Sequence, residues 1–488
     1  MREDFSPVIE ELIAKLKSEK FDMLVRCVPF LGGKTYICYI GQLVDRQSIS
    51  EHVIKPLVDI SLQKVRGIDA EFAVDHMFYV DECHIGDDLN LVKGFLLNGQ
   101  TVVFFSSDSR YVIVNRKKVE NRTVSPPELM YSYRAPRDSF VEDMDTNLSL
   151  LRYRIKDDNI RIIKKDVGSR TKTSVAVVYL NDIANQSVVK EVLNKIDGIK
   201  VSGVFESGEL QGFLSDGKTS LFPKMGIIER SDMAVEKLLE GKVLLLVSGS
   251  NLVIQAPIVF AEFVYSCDDR YDNKFFGLFM RLIRYTAIIV SLTITSLYIA
   301  VSAFHPDVLP AYYTITFAQM RSRAPVSSFI AVLSLEFILE LVREALLRVP
   351  VKIGSAIAIV GAIIIGQAAT ASGIFSPLLL ILVSIGFLST FVIPDFMLSN
   401  VLRIVKFLII IMTGIFGFYG FSIAITFILS VLVSANSFGV PYFAPWAPFN
   451  LYDAVRTFIF SRGFSPERQK YMRNQDKMRS PGKKGGQP

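Results

Sequence analysis

The sequence predicts an α+β protein: a soluble N-terminal domain of two tandem, similar α/β lobes, followed by an all-α multi-span membrane domain. Three observations predict it. Apolar residues crowd into 285–434, while the preceding half carries most of the charge. In that first half, short β-branched runs alternate with amphipathic helical stretches. Two of its pieces also resemble each other at a held offset, the mark of an internal repeat. The expected division is a first lobe over 1–135, a connecting amphipathic helix over 136–157, a second lobe over 158–275, a membrane domain of about five apolar helices over 276–440, and a C-terminal segment with a basic tail over 441–488.

At the N-terminus, MREDFSPVIEELIAKLKSEKF is acidic with a helical pattern. It has no apolar core and no small-residue cleavage site, so it does not read as a signal peptide, and the large domain is expected to stay on the side where it is made. The strand-like runs are KTYICYIG, TVVFFSS, YVIVN, SVAVVYL, KVLLLVS and NLVIQA, and SISEHVIKPLVDI and NQSVVKEVLNKI are amphipathic. In the repeat, Tyr39 and the helix around Glu51 match Tyr179 and the helix around Glu191. NGQTVVFFSSDSRYVIV matches EGKVLLLVSGSNLVIQA, pairing Gly99 with Gly241, Ser106 with Ser248 and Val112 with Ile254. Between the lobes, Phe140, Met144, Leu148, Leu151 and Ile155 recur at helical spacing.

Of the whole chain, 50% is hydrophobic and 21% charged, richer in apolar residues than a soluble average. The formal charge of +6 equals the excess in the tail from Ser461, where eight Lys or Arg face two acids. The remainder is balanced, so nucleic-acid binding is not indicated. Cys27, Cys38, Cys83 and Cys267 are irregularly spaced, which fits reduced buried thiols in a reducing compartment.

Gly212 to Thr219 (GFLSDGKT) has P-loop spacing, in which a glycine-rich turn wraps phosphates, a lysine neutralises them and a hydroxyl holds magnesium. A working P-loop needs a strand before it and a helix from its lysine. Here Pro223 follows too closely for that helix, so the stretch reads as a surface turn. Adjacent Cys83 and His84 rarely chelate one ion, and no further ligands lie in range. No catalytic triad, zinc-protease motif or dinucleotide fingerprint is present. The expectation is therefore no enzyme, no catalytic residue, no metal and no cofactor.

The first apolar span, 285–303, follows Arg281 and Arg284, which belong at the inner edge. Further spans read as 326–342, 353–370, 376–393 and 407–434; the last exceeds the ~20 residues of an upright crossing and must tilt, break at Gly414, Gly417 or Gly420, or reach beyond the bilayer. With the large domain inside, Arg343, Arg348, Lys352, Arg403 and Lys406 fall inside too, but five crossings leave the basic tail outside. One run then re-enters or lies in the interface, or the charge rule fails. Glu336, Glu340 and Glu344 lie four apart on one helical face with Arg343 beside them. Such charges are costly in lipid unless paired or wet. They form an ion path or subunit contact, or they mark a polar helix end that leaves the membrane. Gly354, Ala358, Ala362 and Gly366 make a small-residue stripe suited to close helix packing. Gln367, Ser384, Ser389 and Thr390 are the polar groups at membrane depth, candidates for a pore lining or for helix contacts.

GSRTKT followed by SVAVVYLNDIAN, then FHPDVLP, REALLRVP, IGSAIAIVGAIIIGQAA and SFGVPYFAPWAPF, occur in an order that resembles the A subunit of bacterial spore germinant receptors, of the GerA type. The similarity runs from about Pro136 to Tyr452, with a looser match upstream. It implies a multi-pass protein of the spore inner membrane, working with a transporter-like B subunit and a lipoprotein C subunit. It also implies self-association into a ring, a pentamer, that passes monovalent ions when a nutrient is sensed, with the germinant pocket on the B subunit. YRAPRDSF and SLFPKMGIIERSD depart from the family's usual strings, and an accessory paralogue encoded with the dipicolinate-channel proteins shares the resemblance. The other readings are a secondary transporter, disfavoured because the repeat lies in the soluble half, and an ATP-driven membrane enzyme resting only on Gly212 to Thr219.

Overall fold

The computed structural model describes residues 5–475 apart from 19–22, 31–32, 63–67, 117–126, 128–129, 131–135, 137, 216–220, 267, 313, 316–325, 350–365, 368–370, 372 and 460–468. The N-terminal half is mixed α/β with antiparallel sheets. β1 (Leu24–Phe30), β2 (Gly33–Tyr39), β3 (Cys83–Gly86), β4 (Thr101–Phe105) and β5 (Tyr111–Val114) form a sheet in the order β1-β2-β4-β5-β3. β6 (Ile160–Val167), β7 (Thr173–Leu180), β8 (Gly226–Ile228), β9 (Val243–Val247) and β10 (Val253–Ala256) form a second in the order β6-β7-β9-β10-β8. Both orders are the same pattern, and the registers coincide. Ile37 opposes Val103 as Val177 opposes Leu245, Val103 opposes Val112 as Leu245 opposes Ile254, and Ile85 opposes Val112 as Ile227 opposes Ile254.

The lobes are thus α+β rather than βαβ units. Short links join β4 to β5, β6 to β7 and β9 to β10, and so short a link permits only antiparallel pairing. Strands β4 and β9 are buried throughout, because helices cover both sheet faces. On the first sheet, α1 (Ser6–Ser18) packs Ile9 and Ile13 against Val102 and Phe104, while α2 (46–62) packs Val53 and Leu57 against Val103 and Phe105. α3 (Ala70–His76) and α4 (Val92–Leu97) complete this lobe.

The connecting helix is shorter than the periodicity predicts. α5 spans Met144–Arg154 and starts where the Asp143 carboxylate accepts from the Thr146 amide at 2.8 Å. Ahead of it the chain is extended, with Ser139 bridged to Arg230 and the Phe140 amide donating to the Glu229 carbonyl. Leu148 and Leu151 join the core of the second sheet, and the Ser149 hydroxyl donates to the Gln42 carbonyl of the first lobe. α6 (Gln186–Asp197), α7 (Ser207–Leu214) and α8 (Ser231–Leu239) cover the second sheet. Asn185 caps α6 as Asp45 caps α2. Across the lobes, Lys93 pairs with Asp158, and that contact holds the Asp158 carboxyl below the usual carboxylate range against the opposing pull of burial.

Cys27, Cys38 and Cys83 are free thiols. Burial pushes Cys38 up to about 12 and raises Cys83, whereas Cys27 is exposed, contrary to the expectation of buried thiols. It sits on β1, at the end of the sheet, whose outer edge has no neighbouring strand among the described residues.

Among the described residues two helices are long and apolar enough to cross a membrane, Phe275–Phe304 and Phe396–Ser434, where five apolar spans are expected from the sequence. The first is α9 (Lys274–Ile299) continued by a π turn, Ala300–Phe304. α10 (Ser328–Arg348) holds too many charges to qualify, and α11 (Pro377–Phe391) is too short. Of the expected span 353–370, only Gly366 and Gln367 are described, in helical conformation, so Gly354, Ala358 and Ala362 lie outside the described residues.

α12 (Phe396–Ser434) is not one straight rod. Gly417 has φ 60° and ψ −140°, a conformation that favours glycine, and the chain reverses there. A Cβ on Gly420 would overlap the Met412 carbonyl, contact impossible along a continuous helix, where these residues stand about 12 Å apart. The two arms, 396–416 and 418–434, pack Leu402, Val405 and Ile409 with Leu432, Ile428 and Ala424 in one cluster. The tip meets the far end of α9, with Gly417 against Phe304 and Phe418 against the His305 ring. Gly386 lets α11 approach α9, since a Cβ there would come 3.1 Å from Ile294 Cγ2.

Beyond α12 the chain returns to the second lobe. β11 (Asn436–Ser437) and β12 (Val440–Pro441) form a small hairpin, followed by α13 (Leu451–Ile459). The Ser437 hydroxyl accepts from the Ile258 amide at 3.1 Å and donates to the Lys224 carbonyl at 2.6 Å. Phe438 joins the core under α6, and Tyr442 joins the cluster shared by the lobe and the crossing helices. Farther on, Asn474 donates to the Glu240 carbonyl and the Gln475 amide to the Ile183 carbonyl.

Candidate functional site

Four charged side chains lock α10 to the first arm of α12. The helices run antiparallel, so acids four apart on one meet bases three apart on the other. Lys406 Nζ donates to Glu336 Oε2 at 2.5 Å, with both side chains buried, at 2% and 1% exposure. Toward the lobe, Arg403 forks onto Glu340, its Nε donating to Oε1 at 3.0 Å. Arg343 donates to Thr390 Oγ1 at 2.8 Å and lies 4.8 Å from the ring centres of both Phe387 and Phe391, tying α10 to α11. Glu344 faces outward and pairs with Arg348, in an exposed contact worth little.

The acidic row therefore divides. Glu336, Glu340 and Arg343 act between helices, and Glu344 decorates a surface. The polar candidates on α11 divide as well: Ser384 is exposed, Ser389 donates to its own helix at the Ile385 carbonyl, and Thr390 receives Arg343 while donating to the Phe387 carbonyl. Gln367 is exposed, and a Cβ on Gly366 would meet nothing within 4 Å.

The sequence reading places Arg403 and Lys406 at the membrane edge and misses them as partners. The available signal is their three-residue spacing, complementary to the four-residue spacing of Glu336 and Glu340. Thr295 of α9 is buried against the Glu336 carboxyl, so the polar layer extends from α10 to α9.

A second charged layer sits where the lobe meets the helices. Arg281 and Arg284, expected at the inner edge, both reach Asp269 Oδ2, at 3.3 and 2.6 Å, and Arg284 also donates to the Val264 carbonyl. Beside them, Lys242 and Lys237 share Glu262, and Lys237 reaches Glu240 at 3.3 Å. This layer rivets α9 to the second lobe.

Gly212 lies inside α7, which the Ser215 C-cap ends, so the first part of that motif is helix rather than the expected turn. Asp216 to Thr219 lie outside the described residues. Cys83 and His84 point to opposite faces of β3. No cluster of three or more metal-ligating side chains occurs among the described residues.

A family model described as Bacillus/Clostridium GerA spore germination protein matches residues 10–470. Spore germination protein KA of Bacillus subtilis is 32% identical over 91% of this chain and 83% of its own length. Spore germination protein B1 of the same organism is 30% identical over 89% and 90%, and GerLA of Bacillus cereus is 28% identical over 96% of each. The crystal structure of the N-terminal domain of the A subunit of the Bacillus megaterium germinant receptor GerK3 aligns to 53% of this chain and 97% of that one, at 23% identity and a TM-score of 0.37. With the match running through both lobes and the apolar helices, the chain belongs to the GerA family of spore germination proteins.

Proposed function

We propose that this chain is the membrane-embedded A subunit of a spore germinant receptor and that several copies enclose an ion path opened when a nutrient is sensed. The partners in this reading are a transporter-like B subunit and a lipoprotein C subunit, in the spore inner membrane. The A-subunit relatives support the receptor context. The tandem lobes are read as a duplicated sensory or coupling domain, and six passes are counted in this reading: α9, α10, α11, both arms of α12, and the apolar run over 353–370, which is taken from the sequence alone. An even number supports a placement with both lobes and the C-terminal segment on one side, together with Arg343, Arg348 and Arg403.

One observation carries the channel reading. Inside one copy, the charges of α10 and the first arm of α12 are spent on each other, Lys406 on Glu336 and Arg403 on Glu340. A path lined by modest polar groups is then read as lying between copies, with the outward-facing Ser384 as a candidate for its lining. Reconstitution of the purified chain in sealed liposomes, with its oligomer size measured in mild detergent, tests this. A discrete ring-sized oligomer that passes monovalent ions is expected. A monomer that passes none, even when its B and C partners are added, overturns the channel reading.

A further inference from the structure

We propose that the apolar cavity at the junction of lobe and helices binds one acyl chain of a membrane lipid, an inference that rests on the membrane topology given above. The cavity encloses about 590 Å³, in the range of small-molecule sites. Three parts of the chain build it. Phe222 and Phe260 come from the second lobe, Ile288 and Ile428 from α9 and the second arm of α12, and Phe443 and Trp446 from the C-terminal segment. No charged side chain lines it among the described residues. Its ligand is therefore hydrocarbon, with any polar group left outside.

The mouth decides which hydrocarbon. Ile289 and Leu429 line the cavity yet are 62% and 47% exposed, so it opens between α9 and the second arm, on their outward faces. Leu429 stands about 8 Å along the arm from its lobe-side end at Ser434. One leaflet's hydrocarbon is about 15 Å deep, so this mouth lies within the lobe-side leaflet. Tyr285 and Trp446 line the same cavity, and their residue types favour the headgroup level. An acyl chain is the medium at the mouth, and the apolar walls carry it out of the leaflet toward the lobe. Because the walls belong to lobe, crossing helices and C-terminal segment, a seated chain touches all three.

The test is photolabelling of the full chain in bacterial membranes doped with phosphatidylglycerol bearing a diazirine at one of several positions along one acyl chain, followed by peptide mapping. Label is expected to concentrate around Ile428 to Leu432 and Phe443 to Trp446 and to move systematically with diazirine position. Ile428→Trp, which fills the cavity, is expected to cut that label several-fold, while Phe427→Trp, exposed and outside the lining, leaves it unchanged. Even labelling of all outward-facing residues, such as Ile411 and Ile415, overturns the site, as does a photoreactive residue at Leu429 that joins two copies. If Ile428→Trp does not elute like the parent protein, the position dependence in the parent alone decides. Release of the chain by alkaline carbonate would instead show that the membrane topology itself fails, separately from the cavity.

Discussion

Lys406 buries its ammonium in an apolar bundle, and Glu336 is the carboxylate that makes this tolerable. Removing one member of such a pair leaves an uncompensated buried charge, at a cost of about 3–5 kcal/mol, whereas replacing both by apolar or neutral groups is often neutral. Lys406→Met is therefore expected to lower the thermal midpoint of the detergent-solubilised protein sharply. Adding Glu336→Gln is expected to restore most of the loss. A double variant as unstable as the single one would mean that packing at Lys406, and not its charge, holds α10 to α12. Arg403→Met is expected to cost less, because the Arg403 and Glu340 side chains keep 24% and 18% exposure and water can replace the lost partner. The acids were legible as a row because helical spacing is a property of sequence. Their partners were not, because Arg403 and Lys406 follow 63 and 70 residues after Glu340 and Glu336, and only the antiparallel approach of two helices brings them opposite.

At the scale of elements, the apolar run that is too long for one crossing resolves into a hairpin. Its length and three candidate glycines were visible in the sequence, but not which glycine turns or by how much, since a tilt, a kink and a reversal share the same apolar composition. The structure decides for Gly417, whose positive φ and contact with Phe304 leave little room for a side chain. Gly420 then lets the arms close, and below it the buried residues Ala424, Ile428 and Leu432 recur every fourth position against Ile409, Val405 and Leu402. A cysteine pair at Val405 and Ile428 distinguishes the forms. In a straight helix these positions stand about 35 Å apart, beyond any short crosslinker, whereas in the hairpin they share one cluster. Intramolecular crosslinking within one chain, seen as a mobility shift without dimer, is expected. Its absence in a normally folded protein would refute the reversal. The connecting helix shows the opposite lesson. Its apolar spacing continued upstream to Phe140, but Asp143 caps the helix and the preceding residues pair with the second sheet, so periodicity overran a boundary that a side-chain cap sets.

For the whole molecule, the lobes repeat one strand order and one register, and the repeat was readable because paired strands preserve the spacing of turn glycines and core residues. Sidedness was not readable, since five apolar runs put the basic tail opposite the domain that the charge rule places inside. In the topology proposed above, two features remove the conflict. The hairpin turns one run into two, and the C-terminal segment is anchored on the second lobe at Ser437, Phe438 and Asn474, through a backbone and side-chain network that bridges from Lys224 to Glu240. That anchorage is incompatible with a bilayer between tail and lobes, whatever the number of passes. Epitope tags placed ahead of residue 5 and after residue 488 should consequently be protected together in vesicles of one orientation and digested together in the other. Phe438→Ala gives the energetic counterpart. Loss of a buried Phe typically costs about 3–5 kcal/mol, and here it should loosen the C-terminal segment before either lobe unfolds, so protease cuts near 441–459 are expected to appear first. Opposite protection of the two tags would break the anchorage argument at its root, because the contacts of Ser437 and Asn474 could not then exist within one chain.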